Sequence, residues 1–111
     1  MITKDYIEDY ERCEKYWGEE SEMRICIEEM SELTKELCKY IRYSKRPQTT
    51  EVKEELKKIK NNIIEEVADV INTVEQIERM VGETKVEKVR KAKMKRLKGE
   101  LDEWEKRNNI K

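Results

Sequence analysis

Residues 49–82 read TTEVKEELKKIKNNIIEEVADVINTVEQIERMVG, and this stretch decides the fold. Val52, Leu56, Ile59, Ile63, Val67, Val70, Val74, Ile77 and Val81 recur at spacings of three and four, the period of an amphipathic helix. Thr49 or Thr50 can cap its first turn, Glu51 suits the positive end of its dipole, and Gly82 supplies a stop. Upstream lies SKRPQTT, residues 44–50, with the only proline of the chain. This is the clearest loop.

The same pattern extends outward. A second helix is expected from Ser21, as N-cap, to about Tyr43, with Met23, Cys26, Ile27, Met30, Leu33, Leu37 and Ile41 on one face. Before it, a helix from about Thr3 to Tyr16 carries Ile2, Tyr6, Tyr10, Cys13 and Trp17 and stops at Gly18. After Gly82, Thr84-Lys85-Val86-Glu87 reads as a capping box. The helix it opens carries Val86, Val89, Leu97, Leu101 and Trp104, and residues 106–111 read as a frayed tail. The expectation is all-α: a four-helix bundle in a single domain over 1–111, with 1–17 as its N-terminal helix.

Composition narrows the chemistry. Of 111 residues, 46% are charged and 36% apolar, against about a quarter charged in an average domain. So thin a core suggests stripes that also meet across a subunit interface, in a homodimer or homotetramer. Lys and Arg number 25 and Asp and Glu 26, for a net charge of -1. That balance argues against a nucleic-acid arm and against a polybasic membrane anchor. Histidine is absent, which excludes imidazole bases, His-containing triads and imidazole zinc sites. Three glycines and one proline leave no glycine-rich phosphate loop. Cys13, Cys26 and Cys38 form no C-x-x-C and read as reduced thiols. With no signal-like N-terminus and no apolar run of membrane length, a cytoplasmic protein is expected.

Acid pairs three apart recur along the chain and select nothing by themselves; helical phase separates them. With Val52 at zero and about 100° per residue, the long stripe centres near 30° and Glu66 falls near 320°, inside its edge. Asn62, Glu66, Asp69 and Thr73 form a polar line beside it, whereas Glu75, near 140°, reads as outward-facing. On the preceding helix Glu29 and Glu32 share a face, with Glu29 on the border of the apolar arc. Carboxylates facing a bundle interior must be paired or neutralised. Either Lys or Arg partners do this, or two acid pairs on antiparallel helices converge on a hard cation such as Mg²⁺ or Mn²⁺. On the last helix Lys93 falls on the apolar face between Val89 and Leu97, with Arg90 and Arg96 beside it. Such a lysine either snorkels to neighbouring acids or, with Arg96 or Arg90, meets ligand phosphates. Trp17 either anchors a core or stacks on a base.

Taken together, WGEESEMRICIEEMSELTKEL, NNIIEEVADVINTVEQI and VEKVRKAKMKRLKGEL resemble the MazG-like all-α nucleoside triphosphate pyrophosphohydrolases. The family's E-E-x-x-E reads here Glu28-Glu29-Met30-Ser31-Glu32, and its E-x-x-D reads Glu66-Val67-Ala68-Asp69. The resemblance covers roughly residues 16 to 101. It implies Mg²⁺ on Glu29, Glu32, Glu66 and Asp69, and hydrolysis of an NTP or dNTP to the monophosphate and pyrophosphate. Lys93 and Arg96 correspond to the family's basic C-terminal residues. Many members are dimers or tetramers that share helices between subunits. The chain departs in the 33 residues between Glu32 and Glu66, a longer connection than many members have, and in Glu22, where a glutamine is expected. Two other classes share the sequence pattern: a nucleotide-binding regulator on the same fold, and a non-catalytic helical interaction module.

Overall fold

The computed structural model describes residues 2–110. Among them the chain is all-α. After a 3-10 turn at Lys4–Tyr6 come three helices, α1 (Ile7–Ser44), α2 (Thr50–Val81) and α3 (Glu83–Arg107). The first two expected helices run end to end as α1, with Gly18 breaking the helical backbone between them. That residue takes φ 84° and ψ 163°, and helical structure resumes directly beyond it. Glycine reaches positive φ without a Cβ penalty, so the boundary is a kink within α1. Ser21 accordingly lies inside the helix rather than capping a new one.

The other boundaries follow local chemistry. Thr49 Oγ1 accepts the Val52 N–H at 3.2 Å, and Gly82 closes α2 at φ 115°, donating its N–H to the Glu78 carbonyl at 2.9 Å. The capping box does not form: α3 begins at Glu83 directly after Gly82, with no side-chain cap. The 44–50 loop is held by the Arg46 guanidinium, 4.1 Å above the Tyr43 ring, and by Gln48 Nε2 donating to the Arg46 carbonyl at 2.8 Å. Beyond Arg107 the chain turns through Asn109 at φ 55°, and the Ile110 N–H bonds the Glu105 carbonyl at 2.9 Å. The last residue of the expected tail, Lys111, lies outside the described residues.

Through the 44–50 loop α1 and α2 form an antiparallel pair, which is the body of the molecule. The α1 column Glu22, Cys26, Glu29, Leu33 and Glu36 is buried or half-buried against α2. From α2, Ile59, Ile63, Glu66, Val70, Thr73 and Ile77 meet it, with Ile59 the deepest side chain at 2% exposure. The apolar stripes predicted for both helices therefore split. On α1, Met23, Ile27, Met30, Leu37 and Ile41 stand 43–59% exposed. On α2, Ile64, Val67, Ile71 and Val74 stand 37–62% exposed. In both helices the exposed column follows the packed one by a single residue, about 100° further in the same rotational sense. For two antiparallel helices that rotation carries both columns to the same side of the pair.

The N-terminal segment lies across α2 and reverses one expectation. Glu75, read as outward-facing, is 6% exposed. Its Oε1 accepts the Thr3 N–H at 3.1 Å and the Thr3 hydroxyl at 2.8 Å, and its Oε2 accepts the Tyr10 hydroxyl at 2.5 Å. Phase angles place a residue relative to its own helix. They do not show that another segment will cover its back. Glu14 and Arg79 form a further ion pair between α1 and α2. Of the three free cysteines, Cys26 is buried, Cys13 half-buried and Cys38 exposed.

Helix α3 stands apart. It adjoins α2 and makes no contact with α1 among the described residues. No residue of it is buried. The radius of gyration is 18.7 Å, where a compact chain of this length is expected near 13 Å. No helix among the described residues is long and apolar enough to cross a membrane.

Candidate functional site

The α1–α2 seam is polar along one edge. Asn62 Nδ2 donates to Glu36 Oε1 at 3.0 Å, and Glu29 and Asp69 each bring a carboxylate oxygen to within 4.8 Å of the other. The residue numbers of both pairs add to the same total, as antiparallel neighbours must. The same register sets Glu22 opposite Gln76, both buried. A ladder of carboxylates and amides thus runs along the seam, each α1 rung a glutamate seven residues from the last. The acids Glu32 and Asp69 each precede a packed residue by one, so they look out on the side opposite the exposed apolar columns.

At the middle rung three carboxylates converge. Glu29, Glu66 and Asp69 each bring one oxygen to within 4.8 Å of the others; Glu29 and Glu66 are half-buried and Asp69 is exposed. Glu32, one turn along α1, is exposed and lies outside this tight set, yet its charge acts on both Glu29 and Glu66. Partial removal from water, then the charges of Asp69 and Glu66, hold the Glu29 carboxyl above the usual carboxylate range. Glu66 is raised in the same way, by desolvation first and then by Asp69, Glu32 and Glu36. Glu66 Oε2 is buried with no hydrogen-bond partner. Like charges held this close favour the protonated forms of Glu29 and Glu66.

Of the residues singled out in the sequence, Glu29, Glu66 and Asp69 are brought together and Glu32 stands beside them. The single chain does not bring Lys93, Arg96 or Trp17 to the cluster. Lys93 and Arg96 lie on α3, which does not reach α1. There they line a shallow concavity with Lys88, Val89 and Ala92. Trp17 is 63% exposed, its ring edge-on to Tyr16, and lies twelve positions before Glu29 on the far side of the Gly18 break. Sequence reasoning missed Glu22, Glu36 and Gln76 as buried neighbours of the site. The signal available was the seven-residue spacing of Glu22, Glu29 and Glu36. Comparison with protein-family models, curated proteins and solved structures returns no match to this chain.

The two carboxylate environments titrate in opposite senses. Glu29 and Glu66 are raised in the fold. Between the ordinary carboxylate pKa and their raised values the folded state therefore holds more protons than the unfolded one. Stability then falls as pH rises through that window. Glu75 is the reverse: burial alone would raise it, but the hydrogen bonds from Tyr10 and Thr3 outweigh burial and hold it below the ordinary value. Its contribution is present at neutral pH and lost as pH falls through the lowered pKa. Metal-free protein should be most stable in weak acid, between the two limbs. Urea midpoints against pH test this: Glu66→Gln should flatten the upper limb and Glu75→Gln the lower one.

Proposed function

We propose that this chain is a Mg²⁺-dependent nucleoside triphosphate pyrophosphohydrolase, releasing pyrophosphate from an NTP or dNTP and working as a homodimer or homotetramer whose helices complete a bundle. The observation that carries the reading is the convergence of Glu29, Glu66 and Asp69 on one point, with the buried Glu66 Oε2 unpartnered. An all-oxygen, anionic and partly exposed donor set fits a hard divalent cation. Glu29, Glu66 and Asp69 would hold Mg²⁺, or Mn²⁺ in its place, with Glu32 as the fourth acid. When bound, such an ion neutralises phosphate charge that builds up during transfer.

The remaining chemistry falls to the chain's own groups. With no histidine, the base is a carboxylate. Glu32 stands outside the tight set and is exposed, so it can accept a hydrogen bond from the attacking water and hold that water in line. Lys93 and Arg96 would meet the phosphates and stabilise the leaving pyrophosphate, and Trp17 would stack on the base.

A second reading is favoured by one observation: α3 and its basic residues do not meet the acid cluster within one chain. A nucleotide-binding regulator or a helical interaction module on this fold would need no such meeting. Pyrophosphate release measured over all NTPs and dNTPs with Mg²⁺ separates the three. The enzyme gives turnover on at least one nucleotide. The regulator binds nucleotide and Mg²⁺ without release, and the module binds neither.

A further inference from the structure

The exposed columns of α1 and α2 make one continuous apolar face on the side of the helix pair away from the acid cluster. We infer that this face is the contact with a second copy of the chain, hairpin against hairpin about a two-fold axis, so that four helices enclose the columns and both acid clusters stay open at the outside. The inference refines the assembly proposed above by naming its surface.

Three observations select a second copy as the occupant. The columns repeat at three and four residues on both helices, from Met23 to Ile41 with Thr34 as the one polar position and from Ile64 to Val74. This is the pattern that interlocks with its own kind in a bundle, and an antiparallel pair presents the same pattern to a two-fold mate. The area is sufficient: nine large apolar side chains near half exposure offer on the order of 800 Å² per copy, what each partner gives to a standard stable interface. The chain itself leaves the face open to solvent: its side chains stand 37–62% exposed, and α3, whose Val86 and Arg90 border only its Ile71 and Val74 end, makes no contact with α1 among the described residues. Its own apolar residues Leu97 and Trp104 are 42% and 52% exposed.

The test is mass and dissociation constant by analytical ultracentrifugation across micromolar concentrations, with no activity read. Wild type should sediment at a multiple of 13.5 kDa. Ile27→Ala combined with Ile64→Ala keeps helix-forming residues on the surface and leaves the α1–α2 seam intact. The pair should raise the dissociation constant about a hundredfold at unchanged helicity by circular dichroism. Leu97→Glu combined with Trp104→Glu on α3 should leave the constant unchanged. A wild type sedimenting at 13.5 kDa overturns both the face and the assembly. An oligomeric wild type in which the Ile27/Ile64 pair changes nothing, or in which only the α3 pair dissociates the protein, overturns the face and leaves the assembly standing. Nucleotide hydrolysis stands or falls separately in each case.

Discussion

Glu66→Gln is expected to abolish pyrophosphate release and, in the same protein, to remove the rise in melting temperature that Mg²⁺ gives wild type. Glu66 is the one acid of the cluster with a buried oxygen left unpartnered. It is also held above the usual range by desolvation and by four neighbouring acids. An amide keeps the shape of the side chain and deletes its charge. Without a cation, that deletion relieves like-charge repulsion, so the metal-free variant should melt at or above wild type near neutral pH. With a cation, it removes an anionic ligand, so stabilisation by mass action disappears. Losing an anionic ligand and gaining metal-free stability together mark a charge site; a packing defect would lower stability with and without metal. The control must be an acid away from every cluster. Glu54, exposed on the first turns of α2, serves; Glu75 does not, since it anchors Thr3 and Tyr10. If Glu66→Gln and Glu54→Gln gain equally from Mg²⁺, the cluster is not the metal centre.

How much of this was legible beforehand depended on whether a property belongs to one helix or to several. The span of α2 was readable because its signals are local: a threonine that caps, a three-four stripe, and a glycine that reaches positive φ. Glu29, Glu66 and Asp69 were readable because each sits on the edge of its own stripe, and two antiparallel edges meet. What lay beyond one helix was not readable. Gly18 breaks the helical backbone as Gly82 does, and helix resumes directly beyond both, because nothing local dictates the angle at which the chain continues past such a glycine. Glu75 looked outward because its phase is outward, and only the N-terminal segment crossing α2 buries it. The split of each stripe into a packed and an exposed column was invisible for the same reason. Hydrophobic period gives the width of a face, while the half of it that packs is set by the helix laid against it.

Lys93→Met carries the second large effect. In sequence Lys93 occupies a position on α3 where an apolar residue fits, so two outcomes are distinguishable. A lysine that merely lays its stem along the helix can be replaced by methionine of similar length at no cost to turnover. A lysine that meets the leaving pyrophosphate loses a charge-assisted contact that strengthens as negative charge develops. The loss of such a contact costs about a hundredfold to a thousandfold in rate. Stability should not move in either case, because α3 buries no side chain in the single chain and Lys93 lies among Val89, Ala92 and Arg96. The expected result is therefore turnover down by that factor at an unchanged melting temperature. Because α3 does not reach the acids of its own α1, a Lys93 that acts in catalysis acts from another copy or after α3 moves. Mixing inactive Lys93→Met with inactive Glu66→Gln decides between these. Recovered turnover in the mixture means that lysine and carboxylates come from different copies. No recovery, with subunit exchange verified by mass, means that α3 closes on its own chain. Unchanged turnover in Lys93→Met alone removes Lys93 from the reaction and leaves Arg90 or Arg96 as the phosphate contact.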